Sequence, residues 1–278
     1  MEESNVLDAG TVWMVTSAAM VLLMTPGLAI FYGGMTRAKS SLNMIMMSFV
    51  SMGLVGVVWV LWVHGMTGGD GWAGVVGNPA GDLGLTGTMA EGGLVAAAYG
   101  ATFAIIAVAL ISGAVADRFK FVTWCVFVPV WTTVVYAPLA YMVWGGGLLS
   151  ADGAIGARLG EALDFAGGLA VHINAGIAAL VLILLIGARR GFGKESMRPH
   201  NLPLVMLGAG LLWFGGILVV TLVSVVLVGR WWRRRRAAVR RDLAEQAAEA
   251  FDAEPLVSPE DVSGAVGAAP EAGPRGRA

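Results

Sequence analysis

The stretch LDFAGGLAVHINAGIAALVLILLIGARR, residues 163–190, decides the architecture. From Phe165 to Gly187 it holds no Asp, Glu, Lys or Arg, and the basic pair Arg189-Arg190 closes it. At about 1.5 Å per residue, such a run is long enough to cross roughly 30 Å of hydrocarbon. A helix is the element to expect, because an open strand leaves backbone groups unpaired in lipid. Three polar groups stand near its start, Asp164, His172 and Asn174.

The rest of the chain repeats the pattern. Its 278 residues are 57% hydrophobic and 13% charged, against about 25% charged in soluble domains. Charge is confined to short windows between long apolar ones. Six apolar segments stand out, at 11–33, 42–63, 93–116, 121–143, 165–187 and 202–228. The expected fold is all-α, a polytopic membrane helix bundle of about six transmembrane helices. Ala96, Ala97, Gly100, Ala101 and Ala104 give the third segment a small face for close helix packing. Pro26-Gly27 marks a kink or a packing contact in the first. The start, MEESNVLDAG, has acids and no basic residue, so it does not read as a cleavable signal and the first span is expected to stay. The single Cys125 excludes disulfides within the chain.

Basic residues set the orientation. Arg37 and Lys39 lie in the first connection, Arg118 and Lys120 in the third, and Arg189, Arg190, Lys194 and Arg198 in the fifth. The alternate connections hold only Arg158. The N-terminus is therefore expected outside a cell (plasma) membrane crossed several times, with His172 on a span running inward. The end of the chain conflicts with this order. A sixth crossing delivers GRWWRRRRAAVRR, with seven arginines in residues 230–241, to the outer face. Three resolutions exist: a sixth segment that does not span as drawn, an orientation fixed by the earlier loops, or a chain joined from two sources, which is preferred. Residues 230–251 read as an Arg-rich juxtamembrane helix. Anionic lipid is its expected partner if it is cytosolic, rather than nucleic acid. Residues 252–278, rich in Ala, Gly, Pro and Glu, read as a disordered tail.

Asp164 precedes an apolar helix and suits an N-cap. His172 follows eight residues later, about 12 Å deeper, which places it near the bilayer midplane. An ionisable group inside a membrane is a functional hypothesis by default; the alternative is a neutral histidine hydrogen-bonded to a neighbouring helix. Gly168 and Gly176 flank His172 at i−4 and i+4, leaving its stripe without side chains. Trp144, followed by Gly145-Gly146-Gly147, suits either an aromatic belt or a cation–π platform at a pore mouth. Phe103 by itself is compatible with ordinary packing. His64 sits at an outer interface and His200 in a polar inner loop, and solvated or capping roles are expected for both. No P-loop, zinc-ligand spacing or nucleophile elbow is present, so no enzyme activity, cofactor or metal is expected. Gly208-Ala209-Gly210 lies inside an apolar segment, which excludes a nucleotide loop.

The stretches FYGGMTRAKS (31–40), ATFAIIAVALISGAVADRFKF (101–121), YMVWGGGLL (141–149), LDFAGGLAVHINAGIAALV (163–181) and RRGFGKESMRPHNLPLVMLGAGLLWFG (189–215) closely resemble the ammonium transporter (Amt/Rh) family, in order. With the spans between them they cover about residues 10–215. The resemblance implies a homotrimer of eleven-span subunits with the N-terminus outside. Each subunit is an inverted pair of five-helix repeats around a narrow apolar pore for ammonium or ammonia. By motif position, Phe103 resembles an outer gating phenylalanine, Trp144 the aromatic that contacts ammonium, and Asp164 the acid supporting the recruitment site. His172 resembles the first of two pore histidines. The match ends near Gly215: the second gating Phe, a recruitment Ser and the second pore His have no counterpart here. The expected domains are 1–215 (ammonium-transporter-like membrane domain), 216–229 (divergent end of the sixth span), 230–251 and 252–278. The chain holds the first repeat and the start of the second, and its pore would lack the facing wall. The expected function is transmembrane ammonium or ammonia transport by an apparently truncated chain; the alternative is a non-conducting membrane interaction or sensor protein.

Overall fold

The computed structural model describes residues 9–90 and 93–216. Among them, five helices are long and apolar enough to cross a membrane: Gly10–Met35, Ala38–Met66, Leu94–Val115, Phe121–Trp144 and Gly168–Ile186. They are the first to fifth spans below. Each coincides with an expected segment to within a few residues. Leu202–Gly216 is a further, shorter apolar helix. The remainder of the expected sixth span, the Arg-rich helix and the tail fall outside the described residues. The only strands among the described residues are Gly71–Trp72 and Val76–Gly77, a small antiparallel hairpin pairing Gly71 with Gly77.

The third span is the centre of the bundle. Residues 104–109 and Ile111 are buried on it, and it packs against the first, second and fifth spans. The second span supplies Met44, Met47, Val55, Trp59 and Val63 to the same core, and the fourth supplies Trp124, Val128, Trp131 and Tyr136. Apolar contact alone gives little drive where the alternative is a lipid tail, so close approach and hydrogen bonds carry the specificity. Trp124 Nε1 donates to the Met47 carbonyl at 2.8 Å and sits 3.1 Å from Ser51 Oγ. Trp62 Nε1 reaches Thr133 Oγ1 at 3.0 Å. Tyr32 donates its hydroxyl to the Leu110 carbonyl at 3.1 Å, and a Cβ on Gly113 would come within 2.7 Å of that ring.

The expected small face of the third span is used in part, with Ala96 exposed and Ala101 half-buried. Ala97 and Ala104 are buried, and Gly100 receives the Trp59 ring, where a Cβ would lie 2.9 Å from it. Pro26 lies inside one helix, Ala9–Met35, and its neighbour Gly27 is a packing contact. A Cβ on Gly27 would meet Leu211 Cβ at 2.8 Å, and one on Gly208 would meet the Phe31 backbone at 2.3 Å. The 202–216 helix thus crosses the first span on glycine.

The basic connections gather at one end, as an up-and-down path requires. Arg37 pairs with Asp117 at 2.9 Å and with Glu195 at 3.1 Å. His200, whose Nδ1 lies 2.9 Å from the Thr36 carbonyl, joins the fifth connection to the first in the capping role expected of it.

Three spans contain a π-turn, Trp59–Val63, Thr132–Tyr136 and Gly168–Ile173. Each inserts an extra residue and rotates the face presented beyond it. Such turns are frequent at functional sites, and the third contains His172.

Candidate functional site

The connection from Trp144 to Gly168 includes a short helix, Gly156–Leu159, and ends in a turn at Gly167. Gly167 takes a left-handed φ of 82°, a conformation that suits glycine. A Cβ there would lie 2.6 Å from Val171 Cγ2 and 3.6 Å from Phe103. This turn folds Asp164 back over the helix start. Its Oδ2 accepts the backbone N–H groups of Leu169, at 3.0 Å, and Ala170, at 2.8 Å. Asp164 is therefore a cap, as its position suggested. The donors lie five and six residues on, rather than two or three, because the Gly167 turn intervenes. The negative carboxylate also faces the positive end of the helix dipole.

Trp144, at the end of the fourth span, donates its indole N–H to the Asp164 carbonyl at 2.8 Å. That bond fixes the ring edge and leaves Trp144 40% exposed. Phe103 meets it edge to face, with centroids 5.9 Å apart. The three residues singled out as an outer cluster are thus brought together from three separate elements. Tyr99 extends the aromatic row, meeting Phe103 at 4.9 Å. Its signal was its i−4 spacing from Phe103 on one helix.

His172 is tied to the same turn through its backbone, whose N–H donates to the Gly167 carbonyl at 2.9 Å. Its side chain is exposed. The flanking stripe is open as well: a Cβ on Gly176 would meet nothing within 4 Å, and one on Gly168 only Asp164 Oδ1 at 3.8 Å. The unbroken helical rise expected from Asp164 to His172 is not present. Residues 164–167 form the capping turn and the helix begins at Gly168, so about 6 Å of helical rise separates Gly168 from His172. Asn174 is absorbed within the helix, donating to the Ala170 carbonyl at 3.2 Å. Beyond His172, Ile177, Leu180, Leu184 and Leu185 are exposed. Among the described residues, nothing covers this face of the fifth span.

A second polar cluster went unrecognised in the sequence. His64 Nδ1 lies 2.9 Å from Asp82 Oδ2. Asp82 also accepts the Thr88 hydroxyl at 2.5 Å and the backbone N–H groups of Gly87 and Thr88. The Thr88 hydroxyl first, then the Thr88 and Gly87 N–H groups and His64, hold the Asp82 carboxyl below its usual range, against a smaller opposing effect of burial. The sequence offered only an acid in a glycine-rich loop and a histidine at a span end, where a solvated or capping role was expected.

The model of the Ammonium Transporter Family matches residues 12–217. The chain is 49% identical over 235 residues to an ammonium transporter of Mycobacterium tuberculosis, covering 76% of this chain and 49% of that protein. It is 46% identical over 217 residues to one of Aquifex aeolicus, covering 75% and 49%. Among solved structures, it is similar to Candida albicans Mep2, with a TM-score of 0.64 at 30% identity over 74% of this chain and 46% of that one. Saccharomyces cerevisiae Mep2 gives 0.62 at 30% identity, over 74% and 47%. The chain spans about half the length of the curated relatives it matches. With a family match from residue 12 to 217 and five membrane-length helices in place, this multi-pass membrane protein belongs to the ammonium transporter family.

Proposed function

We propose that the chain supplies the outer recruitment site and one wall of a path that carries ammonium or ammonia across a membrane. The observation that supports this most is the single Gly167 turn. It joins the Phe103–Trp144–Asp164 cluster to the helix that bears an open, exposed His172.

The chemistry is coherent. Ammonium is attracted to the face of a tryptophan or phenylalanine by the ring quadrupole. Trp144 uses its N–H for Asp164, so its π-face is the part left for a ligand. The Asp164 carboxylate adds negative charge beneath the same mouth. Taking an ion farther into an apolar path is costly, whereas neutral ammonia crosses cheaply. Loss of a proton at the mouth, passed to water or to an imidazole, therefore admits ammonia and rejects metal cations, which have no proton to lose. His172 then lines the route, where its imidazole accepts or returns a proton.

In this reading the protein is a transporter and not an enzyme. It resides in the plasma membrane with its N-terminus outside and assembles as a homotrimer. Anionic lipid neutralises the Arg-rich segment if that segment is cytosolic. The uncovered face of the fifth span supports the need for a facing wall. It also favours the second reading, a non-conducting membrane interaction or sensor protein in which this face receives a partner. Reconstituted vesicles separate the two: His172-dependent ammonium uptake supports transport, and its absence from folded protein supports the second reading. Protease access to tags at both ends tests the orientation.

A further inference from the structure

The fifth span is held by few contacts for a helix that carries a candidate pore residue. Its buried stripe is concentrated near its start: Ala170, Val171, Asn174 and Ala175 are buried, and Ala178, Leu182 and Ile186 pack at the edge of the core. That stripe fixes the rotation of the helix about its own axis. Its tilt depends on its ends, and a charged side chain holds each one. At the start, Asp164 accepts the Leu169 and Ala170 N–H groups. At the finish, Arg118 donates through one terminal nitrogen to the Gly187 carbonyl and through the other to the Ala114 carbonyl. Ala114 belongs to the closing turn of the third span. One guanidinium therefore ties the carboxyl ends of two spans together.

The signs are those the helix dipole demands, an acid at the amino end and a base at the carboxyl end. The terminal carbonyls of a helix have no partner within it, and a planar guanidinium can serve two of them at once, whereas an ammonium is a point donor. Asp117, at a φ of 64°, directs its buried carboxylate to Arg37 at 2.9 Å.

We propose that Arg118 is a positioning residue for His172, acting through the tilt of the fifth span with Asp164 as its counterpart at the other end. It does not touch the transported species. The proposal rests on the reading of His172 as a path-lining residue.

The test uses the full chain in lipid nanodiscs with isotope-labelled histidine. The His172 imidazole resonance is assigned by its loss in His172→Gln, and His64, at the end of the bundle away from Arg118, serves as the internal control. In Arg118→Leu the His172 resonance is expected to shift while His64 stays in place. Amide exchange at residues 183–187 is expected to quicken about tenfold, as one charge-assisted bond is lost. Arg118→Lys, which cannot bridge both carbonyls, should fall between. An unchanged His172 resonance in folded Arg118→Leu overturns the proposal, as does a comparable shift of His64, which marks a general structural role. If Arg118→Leu does not fold, Arg118→Lys decides by the same criteria. Lack of ammonium flux through the unaltered chain would remove the transport reading without altering this comparison.

Discussion

Trp144 donates its indole N–H to the backbone carbonyl of Asp164 at 2.8 Å, while the Asp164 side chain accepts the first free N–H groups of the next helix. One residue thus anchors the aromatic platform through its main chain and starts the histidine-bearing span through its carboxylate. The separate roles of the two groups on Asp164 allow them to be tested apart.

Trp144→Phe keeps an aromatic face and removes the N–H, and Trp144→Leu removes both. A cation–π contact contributes about 1 kcal/mol, so Trp144→Leu is expected to weaken ammonium affinity by about fivefold. Trp144→Phe should weaken it less. The concentration dependence of uptake, with helical content by circular dichroism as a folding control, checks the order.

Asp164→Ala leaves the Leu169 and Ala170 N–H groups without their acceptor at the head of an apolar helix. An orphaned buried donor costs about 1–3 kcal/mol, and loss of stability in that range is expected in denaturant titrations of the reconstituted protein. Asp164→Asn retains one acceptor oxygen and should lose less. Equal losses for the two variants would show that the carboxylate does not cap the span.

Gly167, in the turn before the fifth span, and Gly176, on that span, should respond in opposite ways. Gly167→Ala forces a side chain into a left-handed backbone and against Val171, at a cost of about 1–2 kcal/mol. Gly176→Ala meets nothing within 4 Å and should be neutral or gain up to about 1 kcal/mol of helix propensity. Gly176→Leu should keep stability yet reduce flux, because its side chain lies one turn from His172 on the open stripe. Thermal unfolding and vesicle uptake, measured side by side, separate the effects.

The His64–Asp82 cluster has a defined pH behaviour. The folded-state pKa of Asp82 is lowered from 3.8, so the ionised carboxylate is favoured in the folded protein. Its contribution is fully present above the unfolded value and is lost as pH falls through the folded one. Amide exchange at Gly87 and Thr88 is therefore expected to stay slow at mildly acidic pH and to rise only below about pH 4. Asp82→Asn should exchange faster throughout and lose that dependence.

Much of this was legible in the sequence, and the reason is the solvent. Lipid permits few spanning structures, so apolar length and basic connections locate the five spans. Asp164 could be placed as a cap because an acid stood before an apolar run. The rise from Asp164 to His172 could not be read, because the Gly167 turn and the π-turn after it interrupt the assumed helix. Ala166-Gly167-Gly168 hinted at a break without giving its geometry. The meeting of Phe103 with Trp144 depends on how the third and fourth spans pack, and motif resemblance, not spacing, singled out the pair. The His64–Asp82 pair depends on the path of a glycine-rich loop, which neither period nor propensity constrains.

The most direct measurement is a selective flux assay on the full chain in sealed vesicles. An inward ammonium gradient and an equal potassium gradient are imposed in turn, on the unaltered chain and on His172→Ala. The expected result is a rapid response to ammonium, none to potassium, and loss of the ammonium response in His172→Ala. An ammonium response that is absent, or that persists unchanged without His172, contradicts a path lined by this residue.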